Sequence, residues 1–219
     1  MRRIISLEKS NDSPHDFRVY RGRDLNQSPV EEIFELAKIV YGLGALGTDI
    51  LGKWFETDPN VFLLVRRGAD LAGYLSCLPV APEKFEECLD EEFDEKCIEI
   101  ANAQTSEFCC FISSIAIHPR FQSSTPVSAL LRLALLQDMI DMADCKSWSL
   151  AAQTLSSKGS GCMRSLGLVP IGITKSNWQI ERAILERHEL IHHQSRLREK
   201  FVDRWKIDSH ADIYLGKQN

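Results

Sequence analysis

Residues 108–143 constrain the fold of this chain more than any other segment. They read FCCFISSIAIHPRFQSSTPVSALLRLALLQDMIDMA, which is an apolar strand, a His-Pro corner, a short polar loop and an apolar helix. Ile112, Ile115 and Ile117 make the strand β-branched and apolar, and Pro119 ends it because proline has no N–H to donate. A strand that leads through a tight loop into a helix is a general phosphate-holding device, since the N–H groups of the first helical turn point outward.

Hydrophobic periodicity divides the rest of the chain into further strands and helices. Before the central segment the pattern predicts a strand at 17–21, helices from residue 29 and over 49–55, a hairpin with strands at 61–66 and 71–78, and an acidic surface helix within 83–99. After it come a strand at 148–152, a helix at 158–166, strands at 168–174 and 178–184, and a final helix at 186–205. This order predicts an α/β domain over residues 17–184, with a polar lead-in at 1–16 and a C-terminal helix and tail at 185–219.

Composition limits the classes of function. The 219 residues carry a net charge of -5, which argues against a general nucleic-acid binder. Apolar runs are too short to span a bilayer, and the seven cysteines lack paired spacing. His188, His192 and His193 have no accompanying HExxH signature, so we expect a solvated helix face and no metal site. We therefore expect a cytoplasmic protein with reduced thiols that binds neither nucleic acid nor membrane.

Two blocks of the sequence resemble the GNAT superfamily of acyl-CoA-dependent N-acyltransferases. In that family a strand ending in Val-x-Pro, often Val-His-Pro, leads into an Arg/Gln-x-x-Gly-x-Gly/Ala loop that holds the pyrophosphate of coenzyme A. Here Ile117-His118-Pro119 matches the strand end, and Gln122 matches the first loop position. The second block, SLGLVPIG from Ser165, resembles the family's Tyr-x-Lys-Leu-Gly-Phe segment. The resemblance covers residues 17–184, and both blocks occur in the family's order.

The resemblance implies the architecture and the chemistry of the domain. It implies a mixed, mostly antiparallel central sheet flanked by helices, to which this chain adds a C-terminal helix. It also implies acetyl-CoA or another acyl-CoA as co-substrate, no metal, and a small-molecule or peptide amine that attacks the thioester directly. Main-chain groups of the central strand hold the pantetheine arm in this family, so Ile115, Ala116 and Ile117 are expected to contact the donor. A homodimer is compatible with all of this.

The loop departs from the family pattern at both glycine positions, which are Thr125 and Val127 here. Glycine lets the backbone approach the pyrophosphate closely, whereas Val127 adds bulk and Pro126 removes one N–H donor. Hydroxyl groups along the loop are placed to replace the lost donors. The residues expected to contact the donor's phosphates are Gln122, Ser123, Ser124, Thr125, Val127 and Ser128.

Acyl transfer needs a base for the attacking ammonium, a role that a carboxylate or an ordered water fills. By resemblance the carboxylate candidates are Glu107, at the start of the central strand, and Glu83, just after the hairpin. Ser113 and Ser114 lie in mid-strand and are candidates to guide a water. Each of the four also has a plainer interpretation, as a surface charge or as a polar residue on an open strand face.

The family's general acid is frequently a tyrosine four residues before the glycine of the second block. That position is Met163 in this sequence, so the role is vacant. Cys162, its neighbour, is able to protonate a thiolate or accept an acyl group, but a packed or exposed cysteine is the plainer interpretation. The acidic segment at 83–99 likewise either steers a cationic amine toward the cleft or forms a solvated surface.

Three functions follow from these patterns. The first is acetyl or longer acyl transfer from coenzyme A to a primary amine. The second keeps this chemistry but takes the acyl group from an acyl-carrier protein, as in the N-acyl amino acid and acyl-homoserine lactone synthases that have lost the glycine loop. The third is a non-catalytic binding or regulatory module, which the missing tyrosine and glycines favour.

Overall fold

The structure, a computed structural model, describes residues 16–101, 107–122, 126–142 and 145–205. Its strands are β1 (Phe17–Arg21), β2 (Phe62–Arg67), β3 (Asp70–Val80), β4 (Glu107–Ile117), β5 (Ser147–Thr154), β6 (Val169–Ile173) and β7 (Gln179–Glu186). Its helices are α1 (Val30–Tyr41), α2 (Thr48–Thr57), α3 (Val127–Asp141), α4 (Ser157–Ser165) and α5 (Arg187–Trp205). The predicted strands and most of the predicted helices are therefore confirmed to within a few residues.

These strands form one mixed sheet in the order β1-β2-β3-β4-β5-β7-β6. All neighbouring pairs are antiparallel except β4 and β5, which run parallel because α3 carries the chain across between them. The β4–β5 pairing extends from Glu107 opposite Ser147 to Ile112 opposite Ala152 and then stops, although β4 continues to Ile117. The two central strands thus separate over the second half of β4, and the predicted mostly antiparallel sheet is confirmed.

Two apolar layers cover the two faces of the sheet. Helices α3, α4 and α5 pack on one face, and α1, α2 and the segment after β3 pack on the other. Helix α3 is apolar nearly all round, as expected of a helix that is buried on two sides, here between the sheet and α5. An ion pair between Arg21 of β1 and Asp138 of α3 joins the helix to the far edge of the sheet.

The acidic segment differs from the predicted surface helix. It forms two short 3₁₀ segments, Pro82–Leu89 and Glu95–Cys97, separated by turns. Asp90 and Asp94 explain the difference, because each carboxylate accepts a hydrogen bond from the backbone N–H two residues ahead, at 2.7 and 3.1 Å. Such local bonds compete with the helical pattern. The apolar residues of this segment still pack on the sheet, with Phe85 buried in the core.

The C-terminal helix α5 packs on α3 of its own domain. Leu190, Leu197 and Phe201 are buried along one stripe of this helix. Trp205 lies partly buried against the same cluster. The residues that the structure describes include no helix with both the length and the apolar character needed to cross a membrane. The predicted lead-in and tail fall almost entirely outside the described residues.

Candidate active site

Strand β4 carries a β-bulge at Ser113, in the stretch where it has separated from β5. Ser76 of β3 pairs with Ser114, whereas the next residue, Cys77, pairs with Ile112, so Ser113 is an extra residue in β4. A bulge interrupts the strict alternation of side chains along a strand. As a result Ser113 and Ser114 both contact groups on the α1/α2 face, while the residues on either side of them pack with α3.

A cavity of about 790 Å³ crosses the sheet where β4 and β5 separate. We call its part on the α1/α2 face the α1/α2 arm; it is lined by Ala37, Val40, Tyr41, Gly44, Leu46, Leu51, Tyr74 and Glu95. The α3/α4 arm, on the other face, is lined by Gln122, Ser128, Arg132, Ser156, Lys158, Gly159, Gly161, Cys162 and Met163. Where the arms meet, the wall includes residues 112–115 of β4 and 152–154 of β5.

Glu95 places a largely buried carboxyl group in the α1/α2 arm. The Ser113 hydroxyl donates a hydrogen bond of 2.7 Å to its Oε2 atom. Burial raises the pKa of Glu95 above its ordinary value, and the Ser113 hydrogen bond offsets part of this rise. A carboxyl group whose pKa is shifted toward neutrality is well suited to accept a proton at physiological pH.

Tyr41 and Tyr74 lie beside Glu95 in the same arm. The Tyr41 hydroxyl hydrogen-bonds the Ser114 side chain and accepts from the Ile115 N–H. Burial raises the pKa of Tyr41 to about 12, and burial also raises the pKa of Tyr74, which bonds Ser114 as well. Both phenols are therefore protonated at neutral pH, so each carries an O–H that is able to donate a hydrogen bond.

Arg132 brings a positive charge into the α3/α4 arm from the second turn of α3. Its Nε donates to the Ser128 carbonyl at 2.9 Å, and another guanidinium N–H donates to the Ser165 hydroxyl of α4. Burial lowers the pKa of Arg132 from its usual value. Among the described residues no carboxylate forms an ion pair with it. A largely buried cation without a protein counter-charge is costly, so this arm suits a ligand that brings a negative charge.

Val127, which stands where the family pattern has a glycine, lies at the first residue of α3. Its side chain is fully buried and points into the core, against Gly73 of β3. A Cβ atom added to Gly73 would lie only 2.7 Å from the Cγ1 atom of Val127. Its bulk therefore does not obstruct the approach to the helix N-terminus. Pro126 is the N-cap, and the first helical bond runs from the Leu130 N–H to its carbonyl. The three N–H groups of residues 127–129 precede that bond and are oriented to hold an anion.

The other predicted donor contacts are distributed around the cavity. Ile115, Ile117, Gln122 and Ser128 line it, whereas Ala116 is buried in the core beside α1. Gln122 donates its Nε2 to the Ile117 carbonyl at 3.1 Å. The Ser128 hydroxyl lies 3.5 Å from the Cys162 sulfur. Ser123, Ser124 and Thr125 lie outside the described residues.

Only some of the residues predicted to act as base, water guide or acid line the cavity. Ser113 and Ser114 line the cavity, but Glu107 is exposed at the opposite end of β4, roughly 20 Å away at 3.3 Å per residue, and accepts from the Ser149 hydroxyl at 3.3 Å. Glu83 is exposed outside the cavity. Met163, at the position of the family's acid, is a buried residue of α4 and contributes only apolar surface. The described residues include no group of three metal-binding side chains.

Sequence reasoning did not single out three of the polar groups at this site. Tyr41 and Arg132 are not among the predicted site residues, because each lies in a helix with a largely apolar pattern. Glu95 was one of many acids in the segment before β4. A signal existed for Arg132, because it is the single charged residue in the first eleven residues of an otherwise apolar helix. The sequence carries no such signal for Tyr41 and Glu95, because only folding brings them close to Ser113 and Ser114 of β4.

The sequence matches no known family model and no curated protein. The structure, however, is similar to the loading GNATL domain of CurA from Lyngbya majuscula, with a TM-score of 0.58 at 10% identity over 79% of this chain and 98% of that one. It is also similar to a chain of the NatC complex bound to Gag peptide and CoA, with a TM-score of 0.51 at 10% identity over 78% and 98%.

A spermidine N-acetyltransferase, a SpeG chimera from Vibrio cholerae and hSSAT, gives a TM-score of 0.51 at 12% identity over 80% of this chain and 98% of that one. Each of the three similarities spans nearly the whole of the other chain, so the likeness concerns the complete domain. Strand β4, the corner at Pro119 and helix α3 follow one another as the resemblance of the first sequence block implies. The chain therefore has the GNAT fold that those two blocks predicted.

Proposed function

We propose that this protein is an N-acyltransferase that moves an acyl group, most simply acetyl, from a coenzyme A thioester to a primary amine. The observation that carries the proposal is the opposite charge of the two arms. The α3/α4 arm presents Arg132 and Lys158, and the α1/α2 arm presents Glu95. An anionic donor and a cationic acceptor would thus enter from opposite faces and meet at the bulge of β4.

The α3/α4 arm is the proposed donor site. The N–H groups of residues 127–129, the buried guanidinium of Arg132 and the exposed Lys158 offer positive charge and hydrogen bonds to the phosphates. The pantetheine arm would then follow the gap between β4 and β5 toward Ile115. Because Arg132 has no carboxylate partner in the described part of the chain, its charge is available to a donor that carries phosphate.

The chemistry follows from the groups at the junction. The neutral amine attacks the thioester carbon, a C–N bond forms, and the C–S bond breaks after a tetrahedral intermediate. The Ile115 N–H, once Tyr41 releases it, stabilises the developing oxyanion. Glu95 would take one proton from the bound ammonium before attack, directly or through Ser113. Tyr41 would donate its proton to the leaving thiolate and regain one from the amine nitrogen as the amide forms. We propose Glu95 in the role for which the sequence indicated Glu107.

Calorimetry with acetyl-CoA, followed by an assay of thiol release with a panel of primary amines, tests the proposal. Micromolar binding and amine-dependent release of coenzyme A are expected. Arg132→Gln should weaken acetyl-CoA binding about tenfold or more, or 1.4 kcal/mol, whereas the exposed Arg164→Gln on α4 should leave it unchanged. Absence of binding at millimolar donor together with no thiol release would overturn the proposal.

An acyl group on a carrier protein is the second candidate donor. The lost glycines favour it, because a carrier-bound phosphopantetheine has one phosphate where coenzyme A has a pyrophosphate, and it needs a less extensive loop. Acetyl-phosphopantetheine and acetyl-CoA distinguish the two donors. Equal binding of both would show that the adenosine and the second phosphate contribute little, which supports a carrier protein.

A further inference from the structure

The α1/α2 arm combines one acid with an otherwise apolar and phenolic wall. Glu95 is the single charged residue among the described residues that line it. Ala37 and Leu51 are 2% and 3% exposed, so this wall is fixed by core packing. We infer that the acyl acceptor is a primary monoamine on an apolar body, such as an alkylamine or a phenylalkylamine, without a carboxylate or a second amine. This inference deepens the proposed function and rests on it.

The carboxylate of Glu95 fits one ammonium group. An ionised carboxylate accepts up to about four hydrogen bonds, and the Ser113 hydroxyl uses one of them, on Oε2. An ammonium beside a largely desolvated carboxylate is held more strongly than one at the surface. The amine is therefore recognised as a cation and passes its proton to the group that binds it.

A carboxylate on the acceptor is excluded by charge. An amino acid would bring its own carboxylate close to Glu95, where the described lining offers no cation to balance it. Lys96, the residue after Glu95, is exposed to solvent and lies outside this lining. The two cations of the cavity, Arg132 and Lys158, come from α3 and α4 on the opposite face of the sheet. Two like charges in a partly desolvated site, with one left unpaired, are strongly unfavourable.

A second ammonium is excluded for the opposite reason. A diamine or polyamine would place its other charge among Ala37, Leu46 and Leu51, where no second acid is available in the described lining. Asp94, the acid next to Glu95, is exposed and outside the lining, and its carboxylate accepts from the Lys96 N–H at 3.1 Å. Two other acids of the segment pair at the surface, Glu86 with Arg182 and Glu92 with Lys175. An apolar body meets no such cost in this arm. Each added methylene that the wall covers should raise kcat/KM by roughly two- to fourfold.

A matched panel of acceptors at saturating acetyl-CoA tests the inference. 2-Phenylethylamine and hexylamine should exceed phenylalanine, 1,5-diaminopentane and spermidine by at least about 100-fold in kcat/KM. Equal or better turnover of phenylalanine or spermidine overturns this inference alone and leaves the proposed function standing. No thiol release with any amine overturns both.

A gain-of-function variant gives an independent readout. Val40 lines the arm and is only half-buried, so Val40→Glu adds a second acid at small structural cost. It should raise kcat/KM for 1,5-diaminopentane relative to hexylamine by at least about tenfold. Ile39→Glu, one residue away on the same helix but 55% exposed and outside the cavity, is the matched control and should not change the ratio. An unchanged ratio in Val40→Glu, with the protein folded, contradicts the inference.

Discussion

The contacts of Tyr41 depend on the elements that surround it. It lies at the last residue of α1, and its hydroxyl reaches across to β4, where it bonds Ser114 and the Ile115 N–H. That contact is available because the bulge at Ser113 and the loss of β5 free this part of β4 from its second neighbour. In the proposed reaction Tyr41 supplies, from α1, the proton that Met163 is unable to supply from α4.

Tyr41→Phe tests this role. Loss of one hydrogen-bond donor at a developing charge costs about 100- to 1,000-fold in kcat when the donor acts in the transition state. We expect a fall of at least about 30-fold in kcat with little change in KM for either substrate, and Tyr20→Phe on β1 as the unaffected control. A change confined to KM would assign Tyr41 to substrate binding.

Glu95→Gln is expected to separate activity from stability. Burial raises the pKa of Glu95 in the folded state, so the folded protein holds this proton more tightly than the unfolded chain does. Ionisation therefore lowers the free energy of unfolding at any pH above the unfolded-state value of about 4.3. The variant should lose acyl transfer, yet melt at a higher temperature than the wild type at pH 8.

The pH dependence supplies the check on that prediction. The difference in melting temperature should shrink as the pH falls toward 4, because the wild-type carboxyl group is then protonated in both states. The exposed Glu99→Gln should follow the wild type throughout. A Glu95→Gln protein that is less stable at pH 8 would contradict the account of a desolvated carboxylate.

The junction of β3, β4 and α3 depends on Gly73. An added Cβ there would lie 2.7 Å from Val127 Cγ1 and 2.8 Å from the Ala116 carbonyl. Helix α3 thus packs against a strand position that admits no side chain, and this close approach holds the helix N-terminus at the end of β4.

Gly73→Ala should accordingly destabilise the protein by about 1–3 kcal/mol, the usual range for forced overpacking. Chemical denaturation measures the change. Gly52→Ala on α2 is the control, since its Cβ would meet no atom within 4 Å and alanine favours a helix. Equal stability of Gly73→Ala and the wild type would show that α3 shifts freely.

The sequence was sufficient to predict most elements, because strands and helices here follow their hydrophobic period closely. The acidic segment was not predicted correctly, since Asp90 and Asp94 bond their own backbone and end each turn. Ser113 and Ser114, which line the cavity, were among the predicted candidates because they lie in mid-strand. Tyr41 and Glu95 were not, because their chemistry depends on burial and on a bulge that no local pattern reveals.

Helix α5 completes the layer that supports the α3/α4 arm. Helix α3 lies between the sheet and α5, and it also carries Arg132 into the cavity. Hydrogen bonds from Gln194 to Gln137 and from Arg187 to the Ile140 carbonyl join the two helices beside the buried stripe of α5. A change in α5 should therefore reach the cavity through the position of α3.

Leu197→Ala tests this coupling. Leu197 is 7% exposed within the stripe, so its truncation should cost about 2–5 kcal/mol, whereas the exposed Glu199→Ala on the same helix should change stability by less than about 0.5 kcal/mol. If α5 holds α3 in place, Leu197→Ala should also weaken acetyl-CoA binding under conditions where the protein remains folded. Lower stability with unchanged binding would mean that α5 stabilises the domain without positioning Arg132. In that case the α3/α4 arm keeps its geometry even when the packing between α5 and α3 is weakened.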